Sequence, residues 1–180
     1  MMTIQIARFH ARSGNVLVPL YFAGMASQRS TTVSRFIAAP PERIYRAFLD
    51  AEAVATWLPP GSMKGIVHAF EGRERGAFSM SLVYPDDEAS PPGKTSDKAD
   101  RFEGRFVRLV PDERIVWATR FDSEDQSFSG EMTVSTTLAP ADGGTDVTMV
   151  CDNIPLGIRL EDNEEGCRLT LDNLAAFIGG

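Results

Sequence analysis

The chain has 180 residues, 43% of them hydrophobic and 24% charged, which fits one soluble domain with a short extension. No apolar run approaches the ~18 residues of a membrane-spanning helix, so no membrane partner is expected. Net charge is −7, with residues 1–30 carrying +3 through Arg8, Arg12 and Arg29 and the remainder −10. Such an acidic body excludes a nucleic-acid partner, because phosphate binding needs clustered Lys and Arg.

Residues 1–26 do not match the rest. A basic start, the apolar run Val16–Ala26 and the small residues Gly24 and Ala26 are those of a secretory leader. Pro19 interrupts that run, and Met25-Ala26-Ser27 reads as an ordinary beginning. The favoured expectation is a start codon assigned too early, with residues 1–26 outside the fold and a single domain over 27–180. The two cysteines, Cys151 and Cys167, lack CxxC spacing, so they are expected as reduced, mostly buried thiols in a cytoplasmic protein. The alternative, a disulfide between them, stays open.

Thr31–Ala38 alternates β-branched and aromatic residues and predicts a strand. Pro40-Pro41 stops it, and Pro41 suits the first turn of a helix whose apolar stripe is Ile44, Ala47 and Phe48. Asp50 caps a second short helix over 51–57, which ends at Trp57-Leu58-Pro59-Pro60. Strands follow over Met63–Glu71 and Ala77–Tyr84, the latter with Phe78, Met80, Leu82 and Tyr84 on one face. Residues 85–100 are rich in Pro, Asp, Ser and Lys, and predict a long mobile loop that serves as a cavity lid. Arg101–Val110 and Arg114–Phe121 form a hairpin through Pro111-Asp112-Glu113. Phe128–Leu138 and Thr145–Asp152 form another through Asp142-Gly143-Gly144. A final helix begins near Arg159 or after a bend near Gly166, with Cys167, Leu171, Leu174, Ala175 and Ile178 on one face. Seven strand-like segments and one long helix bury their apolar faces if the sheet wraps the helix.

Several segments in this order carry a resemblance. They are Ile37–Phe48 (IAAPPERIYRAF), Trp57-Leu58-Pro59-Pro60, Gly104-Arg105-Phe106 with Ile115-Val116-Trp117, Gly143–Thr148 (GGTDVT) and Leu171–Ala175 (LDNLA). Together they make the chain similar to the START-like (SRPBCC) superfamily, and within it to the family related to the activator of Hsp90 ATPase (AHSA1-like). The resemblance implies an α+β helix-grip fold: a curved antiparallel sheet, two small helices and a long C-terminal helix over a cavity. Members include lipid and polyketide binders, cyclases, hormone receptors and Hsp90 co-chaperone domains, so the fold alone does not decide the function. Members often carry an aromatic residue just after the glycine of the last helix. Cys167 stands there in this chain, which either leaves room in the cavity or repacks it, so no ligand residue is carried over from that position. The separate N-terminal domain of the eukaryotic Hsp90 activator has no counterpart in the sequence, which turns the expectation away from a co-chaperone.

The candidate ligand-binding residues are Trp57, His68, Phe70, Phe78, Met80, Trp117, Phe128, Met132, Cys167, Leu171 and Leu174. For each apolar one the plain alternative is core packing, and Trp57 is the clearest case, closing the core between the small helices and the sheet. Methionines adapt to varied ligand shapes. Strand alternation puts His68 on one face with Ile66 and Phe70, where it would be a general base, a ligand donor or a hydrogen-bonded wall residue. Glu103 and Glu131 fall outward, beside the inward Phe102 and Met132. His68 is the one histidine outside the extension, so neither a His-rich metal site nor a Ser-His-Asp set is arguable. No metal and no cofactor is expected. The expected function is binding of a small apolar or amphipathic molecule between sheet and last helix. The alternatives are a cyclase- or hydrolase-like enzyme using His68 for proton transfer, and a protein-interaction module of the Hsp90 type. A second copy of the chain and a chaperone stay open as partners.

Overall fold

The computed structural model describes residues 29–85, 94–96 and 98–180. The expectation for residues 1–26 lies outside these, as do residues 86–93 and 97 of the expected lid.

Strand β1 (Ser30–Ile37) ends where Pro40 and Pro41 remove two backbone donors, and Pro41 opens helix α1 (Pro41–Leu49). Asp50 ends α1 and caps α2 (Ala51–Trp57), its carboxylate accepting the Ala53 N–H at 2.8 Å. Six strands follow: β2 (Lys64–Phe70), β3 (Ala77–Val83), β4 (Ala99–Val110), β5 (Arg114–Phe121), β6 (Met132–Ala141) and β7 (Gly144–Asp152). They form one antiparallel seven-stranded sheet in the order β1-β7-β6-β5-β4-β3-β2. Helix α3 (Leu160–Gly179) packs against β1 and α2. This is the α+β helix-grip arrangement, and no described helix is long and apolar enough to cross a membrane.

Two local differences from the sequence reading matter. First, β2 carries a bulge between Val67 and Ala69, and a bulge resets the face of every residue beyond it. Second, β6 starts at Met132, not Phe128; Gln126–Phe128 form a 3₁₀ turn whose start is capped by Asp125. Helix α3 runs unbroken from Leu160, in line with the expected start near Arg159, and Gly166 sits inside it rather than at a bend.

Alternation decides which side chains meet the helices. Val147, Met149 and Cys151 of β7, Val134 and Leu138 of β6, and Ile115 and Trp117 of β5 are buried on the helix-facing side. Leu171, Leu174 and Ile178 of α3 are buried against them. On the outer face, Arg105 makes a two-pronged contact with Glu131, and Glu103 is exposed.

Candidate ligand-binding site

The two small helices fill only part of the sheet's inner face. Trp57 is fully buried, its indole N–H donating to the Ala47 carbonyl at 3.0 Å. Its ring centroid lies 4.5 Å from that of Phe48, and Phe48 in turn meets Trp117 at 5.7 Å. Phe78 packs at 5.5 Å from Phe106 and 5.6 Å from Trp117. These rings meet tilted, at centroid separations within the range aromatic pairs prefer, and they make this half of the molecule solid.

The other half is open. Beneath the first half of α3 lies a cavity of about 610 Å³, lined mainly by apolar side chains, within the usual size range of small-molecule sites. Phe102, Trp117, Phe121, Met132, Val134 and Met149 form the sheet wall. Phe128 closes one side from the 3₁₀ turn, and Leu58, Pro60 and Met63 another from the loop after α2. Helix α3 supplies Gly166, Cys167, Leu169 and Thr170. A β-carbon added at Gly166 would meet nothing within 4 Å, so the missing side chain is itself open space. Two hydrogen bonds hold helix and loop together: Thr170 Oγ1 donates to the Leu58 carbonyl at 2.9 Å, and Asn173 Nδ2 to the Pro59 carbonyl at 2.6 Å.

One corner of the cavity is polar. Asp100, 2% exposed, accepts from the Tyr84 hydroxyl at 3.0 Å and from both the backbone N–H and the ammonium of Lys94. The Lys94 ammonium also stands 5.5 Å from the centre of the Phe121 ring, a cation–π contact. Burial alone would lower the Lys94 pKa, but the carboxylate of Asp100 outweighs it and holds the ammonium above its usual value. Burial pushes the Tyr84 phenol up; Lys94 opposes this and Asp100 adds to it. A charged pair in an apolar wall is costly unless each partner is satisfied, and Asp100 is.

A second polar feature lies on the wall between β7 and α3. The sulfurs of Cys151 and Cys167 are 3.5 Å apart, both on the cavity and both free thiols. The Cys167 thiol also faces Asn163 Oδ1 at 3.8 Å, and that oxygen accepts from Thr31 at 2.6 Å.

Of the residues expected to touch a ligand, Trp117, Phe128, Met132 and Cys167 line the cavity. Trp57, Phe78, Met80, Leu171 and Leu174 are buried in the packed core beside it. Phe70 is half-buried against Phe78 and Phe106. His68 requires a correction: it does not share the inner face with Phe70. It occupies the β2 bulge and is exposed, its Nε2 2.8 Å from Ser81 Oγ, outside the cavity wall. Ile66 is likewise exposed. Residues not singled out from sequence are Tyr84, Lys94, Asp100, Phe121 and Met149. Asp100 was signalled by its place two residues before Phe102, since alternation puts both on one face.

The geometry has counterparts among known proteins. The family described as activator of Hsp90 ATPase homolog 1-like protein matches residues 38–179. The chain belongs to this AHSA1-like family. A crystal structure of protein CV1439 from Chromobacterium violaceum is 36% identical, with a TM-score of 0.74, covering 84% of this chain and 98% of that one. Protein Mll3558 from Rhizobium loti is 24% identical with a TM-score of 0.63, covering 83% and 96% of the two chains. A solution structure of an Arthrobacter aurescens protein is 16% identical with a TM-score of 0.66, covering 83% and 86%. These last two share the fold. No functionally curated protein gives a significant match. Membership in the AHSA1-like family supports a ligand-binding or interaction module.

Proposed function

We propose that this AHSA1-like protein binds a small amphipathic molecule in the cavity between sheet and α3. The observation that carries this reading is an open apolar space of about 610 Å³ with one buried charged corner. An apolar body would lie along Phe102, Trp117, Phe121, Met132 and Met149. An oxygen-bearing head would meet Lys94, whose ammonium has three donors and already bonds Asp100 and Tyr84. Burying such a body contributes about 25 cal/mol per Å², and the head fixes its direction. An interaction module is less favoured, because among the described residues the exposed apolar side chains Phe36 and Ile66 lie on opposite edge strands of the sheet. Proton transfer by His68 inside the cavity has no geometric support.

The test is native mass spectrometry of the full chain, followed by titration with 1-anilinonaphthalene-8-sulfonate, an anionic amphipathic dye. A co-purified mass that leaves on unfolding, or saturable dye binding near one per chain, is expected. An apo mass together with no saturable dye binding would overturn the reading.

A further inference from the structure

The two thiols are the reactive groups in the cavity that a binding function does not use. Cys151 is on β7 and Cys167 on α3, 16 residues apart in sequence, with their sulfurs 3.5 Å apart. A disulfide needs about 2.05 Å, so closure requires an approach of roughly 1.5 Å, within reach of rotamer adjustment and a small helix shift. Both cysteines line the cavity, so a small oxidant can reach them through it. We propose that Cys151 and Cys167 form a peroxide-responsive dithiol, with Cys167 the attacking sulfur and Cys151 the resolving one.

The roles follow from position. Cys167 is the more open of the two, half-buried where Cys151 is 2% exposed. The Cys151 S–H can donate to the Cys167 sulfur, which favours the thiolate there. That contact holds Cys167 below its ordinary value, against burial and the nearby Glu164. The same contact, with burial, pushes Cys151 up. Attack proceeds from the deprotonated sulfur. The Cys167 thiolate takes the outer oxygen of a hydroperoxide; the O–O bond breaks, and the remaining oxygen leaves with the thiol proton as water or alcohol. Cys167 becomes a sulfenic acid. The Cys151 sulfur then attacks the Cys167 sulfur, the S–O bond breaks, and hydroxide leaves with the Cys151 proton as water. In total two thiols and one hydroperoxide give one disulfide, one alcohol (or water) and one water. The disulfide would lace α3 to β7 in the cavity wall, independently of any ligand.

The test starts from full-length protein reduced and freed of reductant, then exposed to a small excess of hydrogen peroxide or cumene hydroperoxide. The expected result is loss of both thiols together, a mass 2 Da lower, a crosslinked peptide joining the two cysteines, and reversal by dithiothreitol. Faster reaction with cumene hydroperoxide identifies the cavity as the route of an apolar peroxide; faster reaction with hydrogen peroxide identifies a small diffusible one. In Cys151→Ser, dimedone should trap a sulfenic acid on Cys167. In Cys167→Ser, the remaining thiol should react about tenfold or more slowly. Thiols persisting under peroxide that oxidises free glutathione, or stepwise gains of oxygen with no 2 Da loss, would overturn the proposal. The wild-type mass decides this even if neither variant folds.

Discussion

The ring of Phe78 lies directly across Gly104. A β-carbon at residue 104 would sit 2.4 Å from the Phe78 Cζ and 2.7 Å from the Ala118 carbonyl oxygen. The glycine therefore lets the ring settle against the sheet and reach Trp117. Gly104→Ala should destabilise the fold by about 1–3 kcal/mol through overpacking. Denaturant unfolding measures this as a lower midpoint with an unchanged slope. An unchanged midpoint would mean that the ring and strand yield freely.

Gly166 poses the opposite case, since its missing side chain faces open space. Gly166→Leu should fill part of the cavity and weaken dye binding about tenfold or more. The thermal midpoint should hold or rise, because leucine favours a helix interior over glycine by about 0.5–1 kcal/mol. Dye binding unchanged in the folded variant would relocate the site.

Lys94 separates head recognition from body burial. Lys94→Met keeps an apolar stem and removes the ammonium. Binding of the anionic dye should fall about tenfold, that of the neutral dye Nile red less than threefold, as expected for loss of a charge-assisted hydrogen bond. The same change strands Asp100, so stability should drop by about 1–3 kcal/mol, at the low end because the ammonium is partly exposed. Equal losses for both dyes would place the ligand head elsewhere.

The thiol pair predicts a pH dependence with a definite sign. A hydrogen bond donated to the Cys167 thiolate favours the charged form, so its pKa lies below the usual 9.0. Cys151→Ala removes that donor. The pH at which Cys167 alkylation by iodoacetamide reaches half its maximal rate should therefore move upward in the variant. Identical profiles would show that Cys151 does not stabilise the thiolate.

Much of the architecture was legible because residue type and period agree. Pro40-Pro41, the Asp50 cap and the Asp142-Gly143 turn each dictate local backbone, and Phe78 and Met80 do alternate inward. What the residues hide is register. Nothing in Val67-His68-Ala69 announces a bulge, and that extra residue turns Phe70 inward while His68 stays on the exposed face of Ile66. The polar corner was hidden differently: Lys94 lies in a segment whose composition reads as loop, and its meaning depends on Asp100 facing it. The thiol pair needed one further relation, the seating of α3 on β7. Cys151 on the Met149 face and Cys167 on the Leu171 face are each readable alone, but their separation is a tertiary fact.

The position of β1 has a kinetic consequence. Strands β2 to β7 each pair with a neighbour in sequence, so hairpins can form early and locally. The β1–β7 pairing must instead close a long loop; Ser34 and Thr148, whose hydroxyls meet at 2.9 Å, are 114 residues apart. This pairing should be the slow step of assembly. Until it completes, β7 presents a bare edge where another chain can add. Cys151, partnered across that edge by Thr31, would stand open to intermolecular crosslinking. Newly made protein should thus be most prone to aggregation and mispaired thiols before its first strand docks.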